Sequence, residues 1–173
     1  MDLRYPIGKF TYEGPLSEND RETMIDHIEQ APAHLKEAVS GLTEEQLDTA
    51  YRPDGWTVRQ VVHHLADSHI NSYVRFRLVL TEDSPTVKTY DEGLWAELID
   101  AKTAPIEPSL ALLESLHYRW VMLLRSLSSG DCARTFTHPE IGPVDLDKYI
   151  ALYAWHGRHH VAHITTLRER MGW

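Results

Sequence analysis

The segment Tyr149-Ile150-Ala151-Leu152-Tyr153-Ala154-Trp155-His156-Gly157-Arg158-His159-His160-Val161-Ala162-His163-Ile164-Thr165-Thr166-Leu167 decides the fold. Tyr149, Tyr153, His156, His160, His163 and Leu167 recur every three or four residues, which is the rhythm of one face of an α-helix. This spacing predicts a helix from about Asp145 to Met171. Its inward face carries histidine where a core would normally put leucine.

Three other stretches share the rhythm. A helix from about Ser17 to Val39 places Ile25, Ile28, Leu35 and Val39 on one face, with Pro32 expected to bend it. A second begins at Thr57, an N-cap after the turn Pro53-Asp54-Gly55, and runs to about Thr81 with Val58, Val61, Val62, Leu65, Tyr73, Phe76 and Leu80 as its stripe. A third, from about Ser109 to Leu127, presents Leu110, Leu113, His117, Trp120, Leu124 and Leu127. Four amphipathic helices of this length predict an all-α four-helix bundle. Roughly 25 residues separate the second helix from the third, so the connections are not tight hairpins and at least one crossover is expected. Within that link Asp91–Leu98 reads as a short helix. Thr135–Pro143, with His138-Pro139 and Gly142-Pro143, reads as a loop or a small hairpin.

The 173 residues suffice for one domain with a proper core, and no Pro/Gly/Ser-rich stretch divides them. A formal charge of -9 would repel a phosphate backbone, which excludes nucleic acid as the expected partner. The apolar runs are too short to span a bilayer. Met1-Asp2-Leu3-Arg4-Tyr5-Pro6 lacks the pattern of a secretion signal, and Cys132 is the only cysteine, so a cytoplasmic protein without disulfides is expected.

Histidine is over-represented: of eleven, seven fall within 63–69 and 156–163. His156 and His160 are one turn apart, which sets their Cβ atoms about 5–6 Å from each other, a chelating separation. Imidazole nitrogen suits zinc, nickel, copper and iron. Isolated histidines are more often satisfied core or surface residues. Three in succession on a burying seam would each cost a few kcal/mol without partners, and metal ligation explains them more economically. The second helix offers a third ligand. Rotation by 100° per residue puts His69 at the centre of the stripe, His64 on its flank and His63 almost opposite, which leaves His64 and His69 both open.

The stretch Gly55-Trp56-Thr57-Val58-Arg59-Gln60-Val61-Val62-His63-His64-Leu65-Ala66-Asp67-Ser68-His69, taken with Tyr153 to Ile164, resembles the DinB-like superfamily and within it the YfiT group. Arg4 to Phe10 and Arg170-Met171-Gly172-Trp173 resemble the same group. Carried over by position, the resemblance puts the metal ligands at His64, His156 and His160. It implies a four-helix bundle, commonly a homodimer, holding zinc or nickel with a coordination position left open. By their place on the far sides of their helices His63 and His159 are expected on outer surfaces, with His159 and Asp67 as catalytic candidates. His69, His117 and His163 are expected first as core residues, with orientation of a ligand as the alternative role.

A divalent ion on three neutral imidazoles can activate water for hydrolysis, or bind a thiol as thiolate for transfer to an electrophile. The His-Glu-x-x-His sequence of zinc peptidases is absent. The resemblance implies either metal-dependent hydrolysis or transfer of a low-molecular-weight thiol such as bacillithiol, and puts transfer slightly ahead. Cys132 lies on a different segment, so the thiol would come from outside. A purely structural or storage site is the remaining possibility, and a fourth protein ligand would favour it.

Overall fold

In the computed structural model, residues 2–173 are described. Four long helices form the bundle: α1 (Glu18–Val39), α3 (Val58–Thr81), α6 (Glu107–Arg125) and α8 (Leu146–Met171). Short helices punctuate the connections: α2 (Glu44–Leu47), α4 (Glu92–Ala96), α5 (Ile99–Thr103) and α7 (Ser129–Cys132). The strands β1 (Thr135–His138) and β2 (Gly142–Asp145) pair antiparallel, so the segment read as a loop or small hairpin is a hairpin, with Phe136 opposite Val144. Among the described residues no helix is long and apolar enough to cross a membrane.

Local chemistry sets the helix ends. Thr57 accepts from the Gln60 amide while the Gln60 side chain accepts from the Thr57 amide, a reciprocal cap that fixes where α3 starts. Asp145 caps α8 through the Lys148 amide at 2.7 Å, and Gly172, at φ 71°, ends it in the left-handed conformation that glycine adopts without strain.

α1 packs against α6 and α8, and α3 packs against the same two. The first and second long helices therefore stand diagonally across the bundle, as do the third and fourth, and both connections must cross it. Two apolar cores result. One surrounds Trp120, Phe76, Tyr149 and Phe136; the other surrounds Leu35, Val58, Val62, Leu113 and Leu167. The histidine-bearing stretches of α3 and α8 lie between them. A Cβ at Gly157 would stand 3.1 Å from the Ala31 Cβ, so this glycine lets α1 approach α8 beside the histidines. The ion pair Arg21–Asp147, at 2.7 Å and with its carboxylate buried, ties the start of α1 to the start of α8.

Candidate metal centre

α3 supplies His64, and α8 supplies His156 and His160, one turn apart. Their donor atoms all lie within 4.8 Å of one another. His64 Nε2 and His156 Nε2 are 3.4 Å apart. Two nitrogens bound about 2.0–2.1 Å from one tetrahedral ion would be about 3.4 Å apart, so the pair has the separation such an ion needs. The indole of Trp56 lies 4.6 Å from the His64 ring, closing one side.

Behind these rings run two chains of hydrogen bonds, each ending on a backbone carbonyl. Burial, and then the neighbouring imidazoles, hold His69, His156 and His160 far below the usual histidine range, and burial takes His117 and His163 to about 4. Each ring is therefore neutral near pH 7 and carries one N–H. A carbonyl oxygen only accepts, so the 2.6 Å contact with Ile28 O puts the His117 proton on Nδ1. His117 Nε2 must then accept from His69 Nδ1 at 2.7 Å, and His69 Nε2 from His156 Nδ1 at 3.1 Å. The lone pair of His156 is left on Nε2, facing His64.

The second chain has the same outcome. His163 Nε2 donates to Arg4 O at 3.2 Å, so His163 Nδ1 accepts from His160 Nδ1 in a longer contact of 3.3 Å, freeing His160 Nε2. Two carbonyls on separate parts of the chain thus prepare both α8 histidines to donate through the same atom. Neutral rings with lone pairs converging on one point fit a divalent ion of the zinc or nickel kind.

His64 belongs to the convergent group and His69 does not. His69, 1% exposed, stands behind His156 and not beside it. His63 departs from the surface position expected of it. It is 8% exposed, bonded through Nδ1 to Ser109 Oγ at 2.8 Å and through Nε2 to Ala104 O at 3.2 Å, because the region around α5 and the start of α6 covers the outer side of α3. His159 is likewise buried, not on the surface: its ring stacks on Trp155 at 4.3 Å and lies 5.9 Å from Tyr5, which folds over that side of α8. Its Nδ1 is buried with no partner.

His159, His160 and His163 form a second group whose donors lie within 4.8 Å of each other. Both nitrogens of His163 are already engaged, which disfavours it as an ion site. Among the described residues no carboxylate or thiol joins either group.

The trio opens on a cavity of about 490 Å³ that His159 also lines, whereas Asp67 does not. The Asp67 carboxyl is pushed up to about 6 by burial and then by Asp100. Cys132 is fully buried away from this cavity, and burial raises its thiol to about 11.

Residues 27–164 match the profile of the DinB superfamily. The chain belongs to the DinB superfamily. Relatives from Bacillus cereus strain 03BB102 and Bacillus anthracis strain A0248 are 58% identical over 172 residues, covering 99% of either chain, and each is named "Putative metal-dependent hydrolase". Among solved structures, this DinB protein matches YfiT from Bacillus subtilis with a TM-score of 0.97 and 51% identity, over 100% of this chain and 99% of that one. YfiT is described as "a probable metal-dependent hydrolase with an unusual four-helix bundle topology". The chain shares that four-helix bundle topology, with the first and second long helices diagonal, and the third and fourth likewise.

Proposed function

We propose that this chain is a metal-dependent enzyme that acts on small molecules, holding one divalent ion, zinc or nickel, on His64, His156 and His160, and that it hydrolyses its substrate. The observation that carries the reading is the convergence of three neutral imidazoles, two of them with the proton directed away from the shared point. The lack of a fourth protein donor among the described residues favours a catalytic over a structural ion. A bound ion would supply Lewis acidity, making water or a thiol nucleophilic at neutral pH. The names of the relatives move hydrolysis ahead of transfer. Of the two candidates for proton transfer, His159 lines the cavity and Asp67 does not.

One observation keeps thiol transfer as the second reading. The carboxylates lining the cavity, Asp54, Glu92 and Glu140, are all exposed, so no buried acid stands ready as a base for water. A metal-activated thiolate needs none. The substrates would then be a low-molecular-weight thiol such as bacillithiol and an electrophile. On the same footing the reading keeps a cytoplasmic homodimer, which sedimentation of the purified protein would test.

Metal content and turnover test the proposal together. His64→Ala, His156→Ala and His160→Ala should each lose the ion while keeping helical content, and His63→Ala should keep it. Full retention by His156→Ala removes the assignment. Metal-dependent cleavage of an activated ester supports hydrolysis. Metal-dependent calorimetric binding of bacillithiol or cysteine, without cleavage, supports transfer.

A further inference from the structure

Once the histidines are placed, the same cavity still contains a buried charge with no role. Arg75 lies on α3 eleven residues beyond His64, about 16 Å further along the axis and within about 20° of the same face. Ser68 stands between them, and all three line the cavity. The Arg75 side chain is buried, 7% exposed. It donates from Nη1 to the Tyr149 hydroxyl at 2.9 Å and from Nη2 to the Lys88 carbonyl at 2.8 Å. Both partners are uncharged.

The two comparable arginines are treated differently by the fold. Arg21 meets Asp147, and Arg59 meets Asp48, each at 2.7 Å. Among the described residues no carboxylate lies within 4.0 Å of Arg75. A cation taken out of water without a counter-ion is costly, and a guanidinium has five N–H groups, more than these two bonds occupy. The planar fork accepts a carboxylate or a phosphate-like group through two parallel bonds. Tyr90 and Tyr153 add hydroxyls to the same cavity.

We propose that Arg75 is an anion-binding subsite: the substrate carries a carboxylate or a phosphate-like oxyanion that docks on this guanidinium while its reactive bond lies at the histidine end. The part that concerns substrate rests on the metal-enzyme reading; the anion site itself does not. A cavity of about 490 Å³ is of a size to hold a small molecule spanning both ends. Arg75 thus selects for charge at one end of the molecule and leaves the other end to the ion.

Acetate and sulfate, titrated calorimetrically into metal-stripped wild type, His156→Ala and Arg75→Gln, test this directly. The expected result is saturable binding of at least one anion to wild type, unchanged in His156→Ala and at least tenfold weaker in Arg75→Gln, with zinc retained by Arg75→Gln. Preference for acetate identifies a carboxylate substrate, and preference for sulfate a phosphate-like one. Absence of binding to stripped wild type, or equal binding by folded Arg75→Gln, overturns the proposal. If Arg75→Gln does not fold, the Nε–H resonance of Arg75 in wild type decides: it must shift on addition of the bound anion, and an unmoved signal refutes the site. Retention of zinc by His156→Ala would sink the metal assignment while leaving the anion site standing.

Discussion

Replacing His69 by leucine should weaken metal binding although His69 is not proposed to touch the ion. In the native chain the His156 Nδ1 proton is accepted by His69 at 3.1 Å, and His69 in turn donates to His117 at 2.7 Å. Leucine fills a similar volume and ends both contacts. The His156 N–H loses its acceptor inside the protein, a penalty of about 1–3 kcal/mol, and its proton becomes free to move to Nε2, the atom meant to ligate. Loss of such a supporting partner commonly lowers metal affinity about 10–100-fold, or about 1.4–2.7 kcal/mol. Competition for zinc against a chromophoric chelator measures the affinity, and circular dichroism checks that the bundle persists. Long-range nitrogen–proton NMR on metal-free wild type reads the tautomer itself, with His156 expected to carry its proton on Nδ1. An affinity within twofold of wild type, or a His156 proton found on Nε2, would refute the reasoning.

The metal-free protein should lose stability as pH falls below about 6.5. His64, His117, His159 and His163 titrate near 4 when folded because burial disfavours their charged forms, so between about 4 and 6.5 the unfolded chain binds more protons than the folded one. Each such group contributes a stabilisation that is present in full above 6.5 and is lost on acidification towards 4 at up to about 1.4 kcal/mol per pH unit; urea midpoints unchanged from pH 7 to 5 would contradict this. Asp147→Ala should destabilise by about 1–3 kcal/mol, because it leaves the partly buried Arg21 guanidinium without its carboxylate, and chemical denaturation would read the loss. Gly157→Val should cost about 1–3 kcal/mol, since even its Cβ would stand 3.1 Å from Ala31; a melting temperature equal to wild type would count against the close approach of α1 and α8. His63→Ala should retain metal yet melt lower, as it takes from Ser109 its 2.8 Å partner and leaves the Ala104 carbonyl with only its bond from Arg59.

The four long helices were legible because each buries a continuous stripe, and Thr57, Asp145 and Gly172 mark ends by local hydrogen bonding and backbone freedom that need no tertiary context. What periodicity could not show was burial of the opposite face. Rotation set His63 away from the stripe, but it assumes that a helix has a wet side. α3 has little of one along this stretch, because the long link after it folds back over Arg59, Gln60 and His63. A signal existed in the run Val58 to Ala66, which contains no lysine or carboxylate, unusual for a solvated face. His159 was misread for a related reason: its cover is Tyr5, more than 150 residues away in sequence, a contact that helical spacing cannot encode. Helical spacing also could not separate His64 from His69; the fold sets His69 between His117 and His156, outside the convergent trio.

The carbonyl of Arg4 has a practical consequence. It fixes the ring of His163 and through it that of His160, so the extended leader before α1 works as a strut of the histidine cluster although it contributes no candidate ligand. Shortening the chain at its start, or fusing a bulky tag there, should imitate a mutation at the other end of the sequence. A preparation altered in that way could bind metal poorly with every histidine intact, and its behaviour would report on the handling of the protein and not on its chemistry.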